Sequence, residues 1–471
     1  MNKKIRFYFW MIQGYIRKHT LKTALILSFI IATFYGISLL IPIVNKPNED
    51  VFIEGAVGTF TKRQVLPQIS DYISYGLVTT DNQGNPIPKA AESIESDSTG
   101  KKFTVRLRKD LKWHNGAPVL STDLAYNLDD VQVDKPDEYT LVFNLKDSFA
   151  PFPTLLTSPL IKISSANDEI LGIGDYYLSS EEYRQTQYIT ALELKSTKKS
   201  PSTVKIKFYP TEQDAITALK LGQIHGLRIS ENDEIKTWNN AVIYKKVIPK
   251  RFVGVFFQLK DPLIGGKDAT LRQALGMALT DIPGQLPFAG PFPTNSWATT
   301  STENKYRNDP IKAKQIIDQY KKDNKSSSQA LELRLSTLPA YKETALYIAE
   351  SWTAAGVNTS IEIVDKIPEQ FQALVVGQEI PADPDQYSLW HSTQKQSNIT
   401  NYDFNKRVDK DLEDARKTID QTVRKEKYAD FEKQILEDVP VLYLYQPFYE
   451  YVLLKKYNTE NVKKLKQFSS Q

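Results

Sequence analysis

A run of 22 residues without a charge, Thr23 to Val44 (TALILSFIIATFYGISLLIPIV), divides this chain before any other feature does. At 1.5 Å per residue a helix of that length spans about 33 Å, enough for a hydrocarbon core of about 30 Å. A secretory signal has a shorter apolar core, about 7–15 residues, followed by a small-residue cleavage site. Ile41-Pro42-Ile43-Val44-Asn45 makes a poor cleavage site, so an uncleaved signal-anchor is favoured over a cleaved signal. Lys3, Lys4, Arg6, Arg17, Lys18 and Lys22 precede the run, with no acid among them. The positive-inside rule then puts residues 1–22 in the cytosol and the chain after residue 44 outside the cell membrane, as a single-pass protein. The aromatic stretch Phe7 to Ile16 reads either as an interfacial helix on the inner leaflet or as an aromatic belt.

Those six bases exceed the net charge of the whole chain, +4, so the body after the span is slightly acidic and gives nucleic acid no purchase. There is no cysteine, which excludes disulfides, thiolate nucleophiles, thiolate metal sites and an acylated-cysteine anchor. With 41% apolar residues, 25 Tyr and 21 Phe, the body is a packed globular protein, and 471 residues hold two or three domain-sized units. None of the four histidines has a partner at a metal-binding spacing, and no GxSxG, HExxH or GxxxxGK[ST] pattern occurs. No cofactor and no metal are expected.

Within the body, Lys101 to Leu128 (KKFTVRLRKDLKWHNGAPVLSTDLAYNL) is the most readable stretch. Phe103, Val105 and Leu107 alternate with polar residues, the mark of a half-buried strand. Asn115-Gly116 and Pro118 break the chain, and Ser121 or Thr122 is placed to cap a following helix. Strand, turn and helix predict one α/β unit with Trp113 packed between them. Downstream, Thr211 to Gly222 predicts a capped helix, Arg251 to Leu259 a strong strand, and Asp409 to Tyr445 long helices ending in a strand.

The run FTVRLRKDLKWHNGAPVLSTDLAY resembles a block of the family 5 extracellular solute-binding proteins, the dipeptide- and oligopeptide-binding components of ABC importers. Further blocks resemble the same family in the same order: GLVTTDNQG, ALKLGQIH, LRQALGMAL, DPIKAKQII, and DPDQYSLW within Glu379 to Gln394. The resemblance runs through nearly all of residues 51–460. It implies an α/β, two-lobed, periplasmic-binding-protein-like fold of the class II type behind the N-terminal transmembrane helix. The boundaries expected are 45–255 for the first lobe, 256–440 for the second, and 441–471 for a return strand and the rest of the first. The strands near Arg251–Leu259 and Val441–Tyr445 are then the hinge.

The same resemblance implies a receptor that is not an enzyme, a monomer that takes a peptide or other small solute and passes it to an ABC permease in the same membrane. The end of the first strand, Gly58-Thr59-Phe60, is expected near the ligand, with Trp297 in the Pro-rich loop. Peptide-binding relatives place an amine-binding Asp four residues before the Pro of the DPD block. Here that position is Ile380, and Glu379 is the nearest acid. Asp383 and Asp385 read either as paired carboxylates or as turn and cap residues. Tyr387 and Trp390 read either as flat pocket walls or as core. Two other classes stay open: an extracytoplasmic hydrolase using Asp383, Asp385 or Glu379, and a ligand-free scaffold or chaperone on the same fold.

Overall fold

The computed structural model describes residues 50–164, 168–185, 187–196, 198–230, 233–248, 250–300, 306–324 and 331–465, together with positions 10, 11, 18–20, 28 and 33. The uncharged run at 23–44 lies outside them apart from two isolated helical positions, 28 and 33. Among the described residues no helix is long and apolar enough to cross a membrane. The chain forms two compact units, Met1–Val51 and Phe52–Gln471. The second is the body.

The body is built on two large sheets. The first has seven strands, in the order Tyr177–Arg184, Tyr188–Lys195, Thr203–Tyr209, Val51–Val57, Gly226–Ile229, Phe448–Leu454, Ala241–Val247. Helix Glu212–Lys220 packs on it as the sequence predicts. Thr211 Oγ1 accepts the Asp214 N–H at 3.1 Å, and Gly222 ends the helix at a φ of +70°. Its buried face is Ala215, Ile216, Ala218 and Leu219.

The second sheet has six strands, in the order Leu286–Pro287, Val441–Gln446, Arg251–Phe257, Ala373–Glu379, Leu331–Thr337, Val357–Ile363. Helices Thr270–Met277, Pro310–Asp323, Lys342–Ala354, Lys406–Lys417 and Gln421–Asp438 belong to this lobe. Arg272, fully buried, ties it together by donating to the carbonyls of Ile264 at 2.7 Å and Asp438 at 2.8 Å.

The strand predicted from Phe103, Val105 and Leu107 forms as Lys102–Leu107, with those three side chains buried. The α/β unit does not. The strand lies in a four-stranded antiparallel sheet with Ala91–Ser96, Thr140–Leu145 and Val131–Asp137, which has its own core. After the Asn115-Gly116 turn only a single 3₁₀ turn forms, Ser121–Asp123. Ser121 is buried and donates to the Asp137 carbonyl at 2.7 Å, so it is not free to cap. Asp123 takes that role, accepting from the Leu120 N–H at 3.1 Å and from Trp113 Nε1 at 3.0 Å. Leu124, Tyr126 and Leu128 follow with a period of two, which a helix cannot bury on one side.

The chain crosses between the two large sheets twice, between Val247 and Arg251 and again at Pro447. This corrects the expected boundaries. Arg251–Phe257 and Val441–Gln446 pair with each other in the second sheet, and the strand that returns to the first is Phe448–Leu454. The reading from sequence was one strand early because both are equally apolar. The crossings lie side by side, since Ile248 donates its N–H to the Pro447 carbonyl at 2.8 Å.

Candidate functional site

A cavity of about 1840 Å³ opens where the two sheets face each other. The first lobe supplies strand ends, including Glu54–Val57, Arg228–Ser230 and Phe448–Tyr449. The second supplies the Pro-rich loop at Phe292–Ser296 and the segment Ile380–Ala382. Both crossings line it, through Ile248, Lys250 and Gln446.

One rim is closed by the turn Asp81–Asn85. Asp81 shapes it by accepting the N–H groups of Gln83 and Asn85, each at 2.8 Å. Its Asn85 side-chain bond and these backbone bonds hold the carboxyl below its usual range. The turn then meets the second lobe. Trp297 N–H donates to the Gln83 carbonyl at 3.1 Å, Asn295 Nδ2 donates to the Asn82 carbonyl, and Gln421 Nε2 donates to Asn85 Oδ1 at 2.6 Å.

The charged lining comprises the acids Glu54, Asp81 and Glu212 and the bases Arg228, Lys245, Lys246 and Lys250. Most are already engaged. Glu212 accepts both the N–H and Oγ of Ser230 at 3.0 Å. Arg228 lies over the Tyr449 ring at 4.1 Å and Lys245 over Phe448 at 4.5 Å. Glu54 differs. Its carboxylate accepts from Tyr72 at 2.8 Å and from Tyr451 at 3.3 Å, and burial lifts its pKa to about 7 against the pull of those two hydroxyls.

Local geometry explains the placement. Glu54 pairs with Gly226, which pairs with Leu453, while Arg228 pairs with Tyr451. A period of two therefore puts Glu54, Gly226, Arg228, Tyr451 and Tyr449 on one face of the sheet. Gly226 is the gap through which Tyr451 reaches the acid, since a Cβ there would lie 2.4 Å from the phenol oxygen. The signal in the sequence was a single acid inside an otherwise apolar strand, VFIEGAV, and it went unread.

None of the eight residues expected at the ligand lines this cavity. Gly58 has a φ of +135° and bonds to the Tyr209 carbonyl, Thr59 is exposed, and the Phe60 ring packs edge-on against Phe208. Glu379 is exposed at the end of its strand, paired with Arg251. Trp297 is 9% exposed and packs against Tyr428, with Arg424 over its ring. Trp390 is 2% exposed and donates to Gln386 Oε1, so it is core. Tyr387 stacks on His391 beneath Arg416.

Asp383 is 4% exposed and bound by Arg424 Nη2 at 2.5 Å. Asp385 is bound by Arg416 Nε at 3.0 Å, and burial raises its pKa despite that cation. Both aspartates are structural ion-pair partners under the Ile380–Ala382 wall. That removes the geometric basis for a hydrolase built on them. The segment itself does reach the cavity, through the residues that flank the aspartates, Ala382 and Pro384.

Comparison with known proteins agrees with this geometry. The family model "Bacterial extracellular solute-binding proteins, family 5 Middle" matches residues 85–131 and 125–403. An Escherichia coli (strain K12) protein described as a probable D,D-dipeptide-binding periplasmic protein, DdpA, is 24% identical over 434 residues, covering 80% of this chain and 82% of its own. The structure of oligopeptide-binding AppA from Bacillus subtilis in complex with a nonapeptide aligns with a TM-score of 0.61 at 21% identity, over 88% of this chain and 98% of that one. A nickel ABC transporter structure from Bacillus halodurans aligns with a TM-score of 0.72 at 16% identity, over 86% and 95%. These structures share the fold. The family model takes in more than half of the chain, from the rim turn of the cavity to the helices of the second lobe, and the protein belongs to the bacterial extracellular solute-binding proteins, family 5.

Proposed function

We propose that this protein is the extracytoplasmic receptor of an ABC importer, that it takes a short peptide between its lobes, and that residues 23–44 hold it in the membrane beside the permease. One observation carries the reading: a large cavity lies between two sheets that are joined by two adjacent backbone crossings. Such a joint permits closure over a ligand by rotation at a few residues. An extended peptide suits the site because strand ends expose backbone groups that can pair with it whatever its side chains. The nonapeptide in AppA and the dipeptide ligand in the description of DdpA support a peptide as the solute.

The full chain, purified in detergent, is expected to melt several degrees higher with a pool of tri- to hexapeptides, because a ligand at 100 times its Kd adds about 2.7 kcal/mol to the folded state. Mass spectrometry of the same sample should recover the peptides uncleaved. Flat melting curves sink the peptide reading, and cleavage products sink the receptor reading. Anchoring is checked separately. The intact chain should stay with membranes through an alkaline wash, and deletion of residues 23–44 should release it. Equal retention of both would remove the anchor.

A further inference from the structure

Every other acid of the cavity has a local task. Asp81 shapes its turn, and Glu212 holds the backbone and hydroxyl of Ser230. Glu54 faces the cavity with two phenols and, among the described residues, no lysine or arginine paired to it. Two of the bases on the same wall are held elsewhere, Arg228 over Tyr449 and Lys245 over Phe448. A carboxylate taken out of water without a cation costs the empty protein stability. A carboxylate pKa of about 7 expresses that cost.

The geometry carries this further. A carboxylate has about four acceptor positions, and the phenols of Tyr72 and Tyr451 use two. The two carboxylate oxygens, each held by one phenol, thus keep acceptor positions at one place on the cavity wall, matched to a positively charged group with several N–H donors. Gly226 keeps this cluster open, because any side chain there would push Tyr451 away.

We propose that Glu54, Tyr72 and Tyr451 form the docking point for a protonated primary amine of the bound solute. This rests on the peptide reading above and adds which end of the cavity receives the amine. The amine has two possible sources, the α-amine of a peptide or a lysine side chain. Its docking supplies the cation that the empty site lacks. A charge-assisted hydrogen bond of this kind is strong enough that its loss weakens binding roughly 10- to 100-fold.

The test uses the full chain in detergent and three synthetic pools of tri- to hexapeptides: free N-termini without lysine, N-acetylated with lysine, and N-acetylated without lysine. The wild type should bind the first pool at least ten times more tightly than the third, and the second pool assigns the amine to a lysine side chain if it binds comparably. Glu54→Gln should lose that preference. At pH 8 it should also melt at a higher temperature than the wild type when empty, which a purely structural acid would not show. Equal binding of the first and third pools by the wild type overturns the amine site while leaving a peptide receptor. Binding of no pool removes both. Should the variant not fold, the comparison of pools on the wild type decides alone.

Discussion

Replacing Asp383 with alanine is expected to destabilise the protein by about 3–5 kcal/mol, the range for stranding one member of a buried ion pair. Arg424, itself 6% exposed, would be left with its charge inside the second lobe. It would keep only the Ala415 carbonyl at 3.0 Å and the Tyr428 hydroxyl at 3.1 Å. The damage should spread, because Arg424 lies over the Trp297 ring and the Trp297 N–H docks the rim turn. Urea denaturation measures the effect, and the double variant Asp383→Ala/Arg424→Met should recover part of the loss by removing the stranded charge. A double variant no more stable than the single would mean that the aspartate acts through something other than this pair. The resemblance points to ligand contact for this block, whereas the structure makes its aspartates the brace behind the cavity wall.

The second expected result concerns pH. His225 is buried, its Nδ1 accepts the Ile53 N–H at 3.1 Å, and its ring stacks on Tyr457 at 3.5 Å. Burial, with Lys456 and Lys207 nearby, pushes its pKa down to about 3 from the usual 6.5. The unfolded chain therefore binds a proton between pH 6.5 and 3 that the folded chain refuses. Stability is fully present above pH 6.5 and falls as pH drops toward 3, by about 1.4 kcal/mol per unit and about 5 kcal/mol at most. Glu54 works in the opposite direction: its raised pKa costs stability as pH rises from 4.5 to about 7. The two slopes oppose each other between pH 4.5 and 6.5. In His225→Asn, which retains an acceptor for Ile53, the stability lost between pH 6.5 and 4 should shrink by about 2–3 kcal/mol relative to the wild type. Parallel denaturation profiles for the two proteins would show that the imidazole does not resist protonation.

The legible parts of this fold were those written in local periodicity. The alternation around Val105 and the cap at Thr211 each depend on residues within one turn or one strand, and each formed as read. What failed required distant partners. The helix after Pro118 was lost because Ser121 is engaged by Asp137, and the return strand was misplaced because two successive apolar strands look alike. Asp383 could be read as a ligand contact because its partner Arg424 lies in a helix far down the chain, with nothing in the spacing to link them. Glu54 shows the converse. Its two tyrosines lie at residues 72 and 451, one on helix Leu66–Ile73 and one on strand Phe448–Leu454, so only the packing of that helix and the register of the strands bring all three together.

The rim turn carries one more implication. Two of the groups by which it grips the second lobe are main-chain carbonyls, of Asn82 and Gln83, and its curvature comes from Asp81. A mutation at residue 82 or 83 changes a side chain without deleting either acceptor. The fastening of the lobes is in this way uncoupled from the chemistry of the wall around Glu54 and Arg228. A lineage could thus retune the wall for a different cargo, one residue at a time, and never have to reinvent the clasp.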